Sequence, residues 1–185
     1  MDHVAIEKTL SGSIREIVFG LEDSLVSTLG AVTGIAAGTQ NAYIVILSGL
    51  VLISVEAVSM AAGSYLSTKS AAGVEATLAT KRSHRGGHLP TLPLRAAVVM
   101  GISYAFGGLF PIAPYFFVPV ASAFVPSLLL TAAALFGTGY WTAHLTHRNP
   151  VQSGVEMVGV SLLAAGIGYA IGRLVSAAFG VDAIA

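Results

Sequence analysis

Residues 43–66 read YIVILSGLVLISVEAVSMAAGSYL, an apolar run broken by a single charged residue, Glu56. A helix needs about 20 predominantly apolar residues to cross a hydrocarbon core of about 30 Å. This run is long enough, and it has no polar face of the kind a surface helix of a soluble domain shows. Working outward, four further stretches qualify: 17–38, 92–113, 118–141 and 151–178. The third is bracketed by Pro90 and Pro93 before it and by Pro111 and Pro114 at its end, where proline is tolerated. Only residues 39–42 separate the first two spans, so these form an antiparallel hairpin.

Composition agrees. Of 185 residues, 55% are apolar or aromatic and 10% charged, and the mean hydropathy is +0.81, more apolar surface than a soluble fold can hide. The sequence therefore predicts an all-α integral membrane protein, a single transmembrane domain of five helices. The formal net charge is zero, which gives no reason to expect a nucleic-acid partner. The chain has no cysteine, so disulfides, iron–sulfur clusters and thiolate metal sites are excluded, and any metal has oxygen, nitrogen or thioether ligands. No cofactor is expected. Residues 1–16 are charged and amphipathic, without the apolar centre and cleavage site of a secretory signal.

Basic residues orient the spans. Lys8 and Arg15 precede the first; Lys69, Lys81, Arg82, Arg85 and Arg95 lie between the second and third; Arg148 lies between the fourth and fifth. Only Arg173 falls near the C-terminal end. The positive-inside rule then predicts a cytoplasmic N-terminus, a C-terminus on the opposite side, and a cytosolic loop over 69–90.

Glycine is concentrated inside the spans. Gly30, Gly34 and Gly38 repeat every four residues in the first, and Gly168 and Gly172 do so in the fifth. Such smooth stripes let backbones approach closely. They suit either a pathway-lining or dimerising interface, or helix packing within one subunit.

Acidic residues inside a span cost about 2.5–3.5 kcal/mol at a helix centre, and so tend to face a bundle interior or a pathway. The candidates are Glu16, Glu22 and Asp23 around the start of the first span, Glu56 in the second, and Glu156 early in the fifth. Counted from the hairpin turn at 1.5 Å per residue, Asp23, Glu56 and Met60 lie about 22, 20 and 26 Å deep, so the three can share a level. Glu56 and Met60, four apart, are neighbours on one helix face. Carboxylates with one thioether suit a borderline divalent ion such as Fe2+ or Mn2+, whereas Mg2+ or Ca2+ prefers oxygen alone. The alternatives are that Met60 fills a packing gap, that Glu22 and Asp23 favour a helix N-terminus, and that Glu56 is protonated against Ser54 or Ser59.

The segment REIVFGLED, residues 15–23, running on through SLVSTLGAVTG, resembles the first helix of the vacuolar iron transporter family, and VEAVSMAAGSYLSTKS, residues 55–70, resembles its second-helix signature. The run GGLFPIAP over 107–114 and GIGYAIGRL over 166–174 extend the likeness along nearly the whole chain. The resemblance implies a homodimer of five-helix subunits with an ion path along the two-fold axis. It also implies export of Fe2+, and often Mn2+, from the cytosol in exchange for protons. It places Asp23 and Met60 at the family's pathway aspartate and methionine, Glu16 at an acidic position near the cytosolic entrance, and Glu56 at a frequently acidic second-helix position. Two departures stand out. Ser24 follows Asp23 where described members have Gly. The segment 69–90, about 22 residues with Glu75 as its sole acid, is too short for the glutamate-rich metal-binding domain of long-form members, so the chain reads as a short form.

His84 and His88 could bind a metal on a helix, but Gly86 and Gly87 between them favour a solvated basic loop. His144 and His147 read as interfacial. The function expected is transport of Fe2+ or Mn2+ across a bilayer, in a plasma or inner membrane if prokaryotic and a vacuolar membrane if eukaryotic. The alternative is a non-transporting membrane scaffold or subunit. The spans carry no serine–histidine pairing or histidine-rich zinc motif, so no enzyme activity is expected.

Overall fold

The computed structural model describes residues 3–81 and 92–179. Its elements are α1 (His3–Thr39), α2 (Ala42–Lys81), α3 (Pro93–Ile112), a 3-10 turn (Ala113–Phe116), α4 (Val120–Leu145) and α5 (Pro150–Phe179). All five α-helices are long and apolar enough to cross a membrane, over Ser13–Thr39, Ala42–Val74, Pro93–Phe116, Val120–Leu145 and Pro150–Phe179. The protein is an all-α integral membrane protein with five transmembrane helices.

Local chemistry sets the turns. Gln40 takes φ 49° and ends α1, its backbone N–H donating to the Ala36 carbonyl at 3.0 Å, and Asn41 Oδ1 then accepts the Ile44 N–H at 3.2 Å to begin α2. The α4–α5 turn repeats the device. His147 takes φ 55°, and the Arg148 N–H reaches back to the Ala143 carbonyl at 3.0 Å. That is the left-handed helix stop usually built on glycine. Asn149 Oδ1 then accepts the N–H groups of Val151 and Gln152, with Pro150 at the first helical position.

Two helices outrun the bilayer. α1 has 37 residues and α2 has 40, so at 1.5 Å per residue they are about 55 and 60 Å long. The stretch 69–81, expected in the loop, continues α2: it is alanine-rich, holds no proline and has a single glycine, Gly73. By the order of the helices, Arg15, Lys69, Arg95 and Arg148 all stand at the end of the bundle away from the α1–α2 turn.

The packing is that of a protein in lipid. Large aliphatic side chains such as Val58, Leu129 and Leu163 are exposed on the outside, while Ser24, Thr28, Thr131 and Ser161 are fully buried. Lipid tails are as apolar as leucine, so helices associate through close approach of small residues rather than through hydrophobic burial. α1 is the central helix. It packs most extensively on α5 and α3 and also touches α2 and α4, while α2 leans on α3 and α4 on α5. Ser127 ties α4 to the proline-broken end of α3 by donating to the Pro111 carbonyl at 2.6 Å.

The glycine stripes meet each other inside the chain. A Cβ on Gly34 would stand 2.7 Å from the Gly168 carbonyl oxygen, one on Gly38 3.1 Å from that of Gly172, and one on Gly30 3.1 Å from that of Ala164. These pairs advance together along the two helices, so α1 and α5 run parallel with backbones in contact. Packing within one subunit brings the stripes together, and the same glycines line an apolar groove between the two helices.

Candidate functional site

Glu56 sits on α2, half-buried, where hydroxyls from two other helices converge on it. The phenol of Tyr104, on α3 and fully buried, donates to Glu56 Oε2. Ser27 Oγ, on α1, also reaches Oε2 at 3.4 Å and lies 2.7 Å from the Tyr104 hydroxyl. Three spans are thus tied together at one carboxylate oxygen. The sequence pointed to Ser54 or Ser59 as hydroxyl partners, but Ser54 donates instead to the Leu50 carbonyl of its own helix, at 2.8 Å. A hydroxyl four residues after a carbonyl on one helix finds that partner at no cost in geometry.

Asp23 lies one helical turn before Ser27, the Glu56 partner, on the same face of α1. The structure therefore brings together two of the four acids and thioethers expected in the site.

The other two share a cavity. Glu16, Phe19, Ser59, Met60, Ser64 and Met100 border a space of about 570 Å³ between α1, α2 and α3. Glu16 is almost wholly buried, and its Oε1 accepts a hydrogen bond at 2.9 Å from Arg15, whose own side chain is largely exposed. A buried carboxylate with one exposed counter-charge can exchange that partner for an arriving cation. Met60 links the two groups, since it lies one turn beyond Glu56 on α2 and borders the Glu16 cavity.

The remaining polar candidates stand apart. Glu156 is exposed, 3.6 Å from Arg148 and accepting from Gln152 at 3.0 Å, an arrangement of the helix end rather than the interior. His144 stacks on Tyr140 with ring centroids 6.3 Å apart, and His147 serves as the stop of α4. His84 and His88 lie outside the described residues. Among the described residues, no three histidine, aspartate or glutamate side chains gather into a metal cluster.

Sequence reading missed Ser27, Tyr104 and Met100. Ser27 carried a signal, being four residues after Asp23 and so on its face. Tyr104 carried a weaker one, a phenol in mid-span that needs a partner in lipid.

The pattern of the VIT family matches residues 14–90 and 74–173, its two parts overlapping on the connection between α2 and α3. Vacuolar iron transporter 1 of Tulipa gesneriana is 24% identical, covering 94% of this chain and 92% of its own length. Vacuolar iron transporter 1 of Eucalyptus grandis is 26% identical, over 91% and 89%. Vacuolar iron transporter homolog 2 of Oryza sativa subsp. japonica is 29% identical, over 90% and 92%. With a family pattern covering all five spans, the chain belongs to the VIT family.

Proposed function

We propose that this protein carries a divalent transition-metal ion, Fe2+ or Mn2+, out of the cytosol across its membrane in exchange for protons. The observation that carries the reading is the carboxylate of Glu56, held within a membrane span by Tyr104 and by Ser27, which stands one turn from Asp23 on α1, with Met60 one turn along α2. Intramembrane acids of this kind mark ion paths and proton relays. The relatives named as vacuolar iron transporters agree with it.

In this reading the ion leaves water at the Glu16 cavity, where it displaces Arg15 from the carboxylate. It then passes along α1 and α2 by way of Met60 to Asp23 and Glu56. Carboxylates serve both cargo and coupling, because the oxygen that releases the cation can take up a proton. The few acids of one chain would become a fuller ligand set at a two-fold axis, which is the homodimer that the family resemblance implies. A nearly wholly apolar groove of about 760 Å³ along α1 and α5 and the exposed apolar face of α2 offer surface for that second copy. The N-terminus lies on the cytosolic side, by the basic residues at that end of the bundle.

The test is flux of Fe2+ and Mn2+ in proteoliposomes under an imposed pH gradient, comparing the intact chain with Asp23→Asn and Met60→Ala. Flux that follows the gradient and vanishes in both variants is expected. A folded, intact protein that moves neither ion would leave the membrane scaffold as the better account.

A further inference from the structure

Met100 on α3 was singled out by neither motif nor resemblance, yet it borders the same cavity as Glu16 and Met60. It is 7% exposed, turned inward rather than toward lipid. Two of the four methionines of the chain thus approach one space from two different helices, beside one buried carboxylate. A methionine taken singly is an adaptable filler of gaps. Here both methionines and the acid border a partly open space of about 570 Å³ that no side chain of this chain fills.

The donor set has a definite chemical preference. Thioether sulfur is neutral, polarisable and soft, and it selects soft or borderline cations, while oxygen ligands alone suit Mg2+ and Ca2+ and, of the two borderline candidates, serve Mn2+ better than Fe2+. One carboxylate supplies the charge that a cation needs on leaving water. The hydroxyls of Ser59 and Ser64 on the same wall can complete a coordination shell directly or through water.

We propose that Glu16, Met60 and Met100 form a soft-cation station at the entrance of the path, in which Met100 is the second thioether ligand and biases the cargo toward Fe2+ over the harder Mn2+. The identity of the cargo rests on the transport reading above; the binding preference does not.

The experiment uses the purified full chain in detergent with Cu(I), kept reduced, as a probe for paired thioethers, titrated against a chromophoric chelator. Stoichiometric Cu(I) binding is expected. It should weaken about tenfold or more in Met100→Leu and in Met60→Leu, with elution volume and helicity unchanged, because leucine nearly conserves methionine's volume. In proteoliposomes, Met100→Leu should also lose Fe2+ flux more than Mn2+ flux. Absence of Cu(I) binding in the intact chain, or wild-type affinity in Met100→Leu, would overturn the station. Intact Cu(I) binding without flux of any divalent ion would overturn the transport reading and leave the station standing.

Discussion

Tyr104 and Glu56 belong to neighbouring spans, and the phenol proton of the one is given to a carboxylate oxygen of the other within the membrane. Replacing Tyr104 with Phe keeps the ring and removes the donor. Unfolding in mixed micelles should become easier by about 0.6–1.7 kcal/mol, the scale of interhelical hydrogen bonds in bilayers. Metal flux should fall as well, since Glu56 loses the group that fixes its orientation. Unchanged flux would show that the bond orients nothing the ion meets.

Glu56→Gln separates charge from packing. The amide carbonyl still accepts from Tyr104 and Ser27, so the fold and its thermal midpoint in detergent should stay close to those of the intact chain. Divalent-metal flux should be lost. Survival of flux would return Glu56 to a structural role and the protein to the scaffold class.

Gly34→Ala tests the α1–α5 contact. Its Cβ would stand 2.7 Å from the Gly168 carbonyl oxygen, a backbone atom with no rotamer to yield. Destabilisation of about 1–3 kcal/mol is expected from overpacking. At Gly166, also on α5, a Cβ meets nothing within 4 Å, so Gly166→Ala should be neutral or mildly stabilising. Equal effects at the two positions in a thermal unfolding series would contradict the assignment of the stripe.

The peripheral polar groups give the complementary expectation. Glu156→Gln removes an exposed pairing with Arg148 that is worth about 0–1 kcal/mol, and flux should be unaffected. The double variant His84→Ala, His88→Ala should also transport at the wild-type rate. A dead His variant would make the segment between α2 and α3 part of the machinery.

The five spans and the α1–α2 hairpin were legible because apolar length and proline placement are local properties, complete within each stretch. Helix ends were less so. The extension of α2 to Lys81 looked like loop because hydropathy reports the bilayer, not the helix, and a polar alanine-rich stretch can leave the membrane without unwinding. Asp23, Glu56 and Met60 were visible as costly or chemically distinct side chains in apolar surroundings. Their partition was not, because depth counting ignores rotation about the helix axis: Met60 borders the cavity with Glu16, while Glu56 turns to Ser27 and Tyr104. The glycine spacing announced a close approach without naming its partner, since periodicity on one helix carries no information about what lies across from it.

The backbone contact of Gly34 with Gly168 also limits how the molecule can move. Two helices separated by side chains can slide, because rotamers on both sides yield. Helices that touch peptide to peptide, in matched steps at Gly30, Gly34 and Gly38, sit in a ratchet whose next tooth is a whole turn away. A conformational cycle in this chain would therefore have to swing α1 and α5 together as one stave.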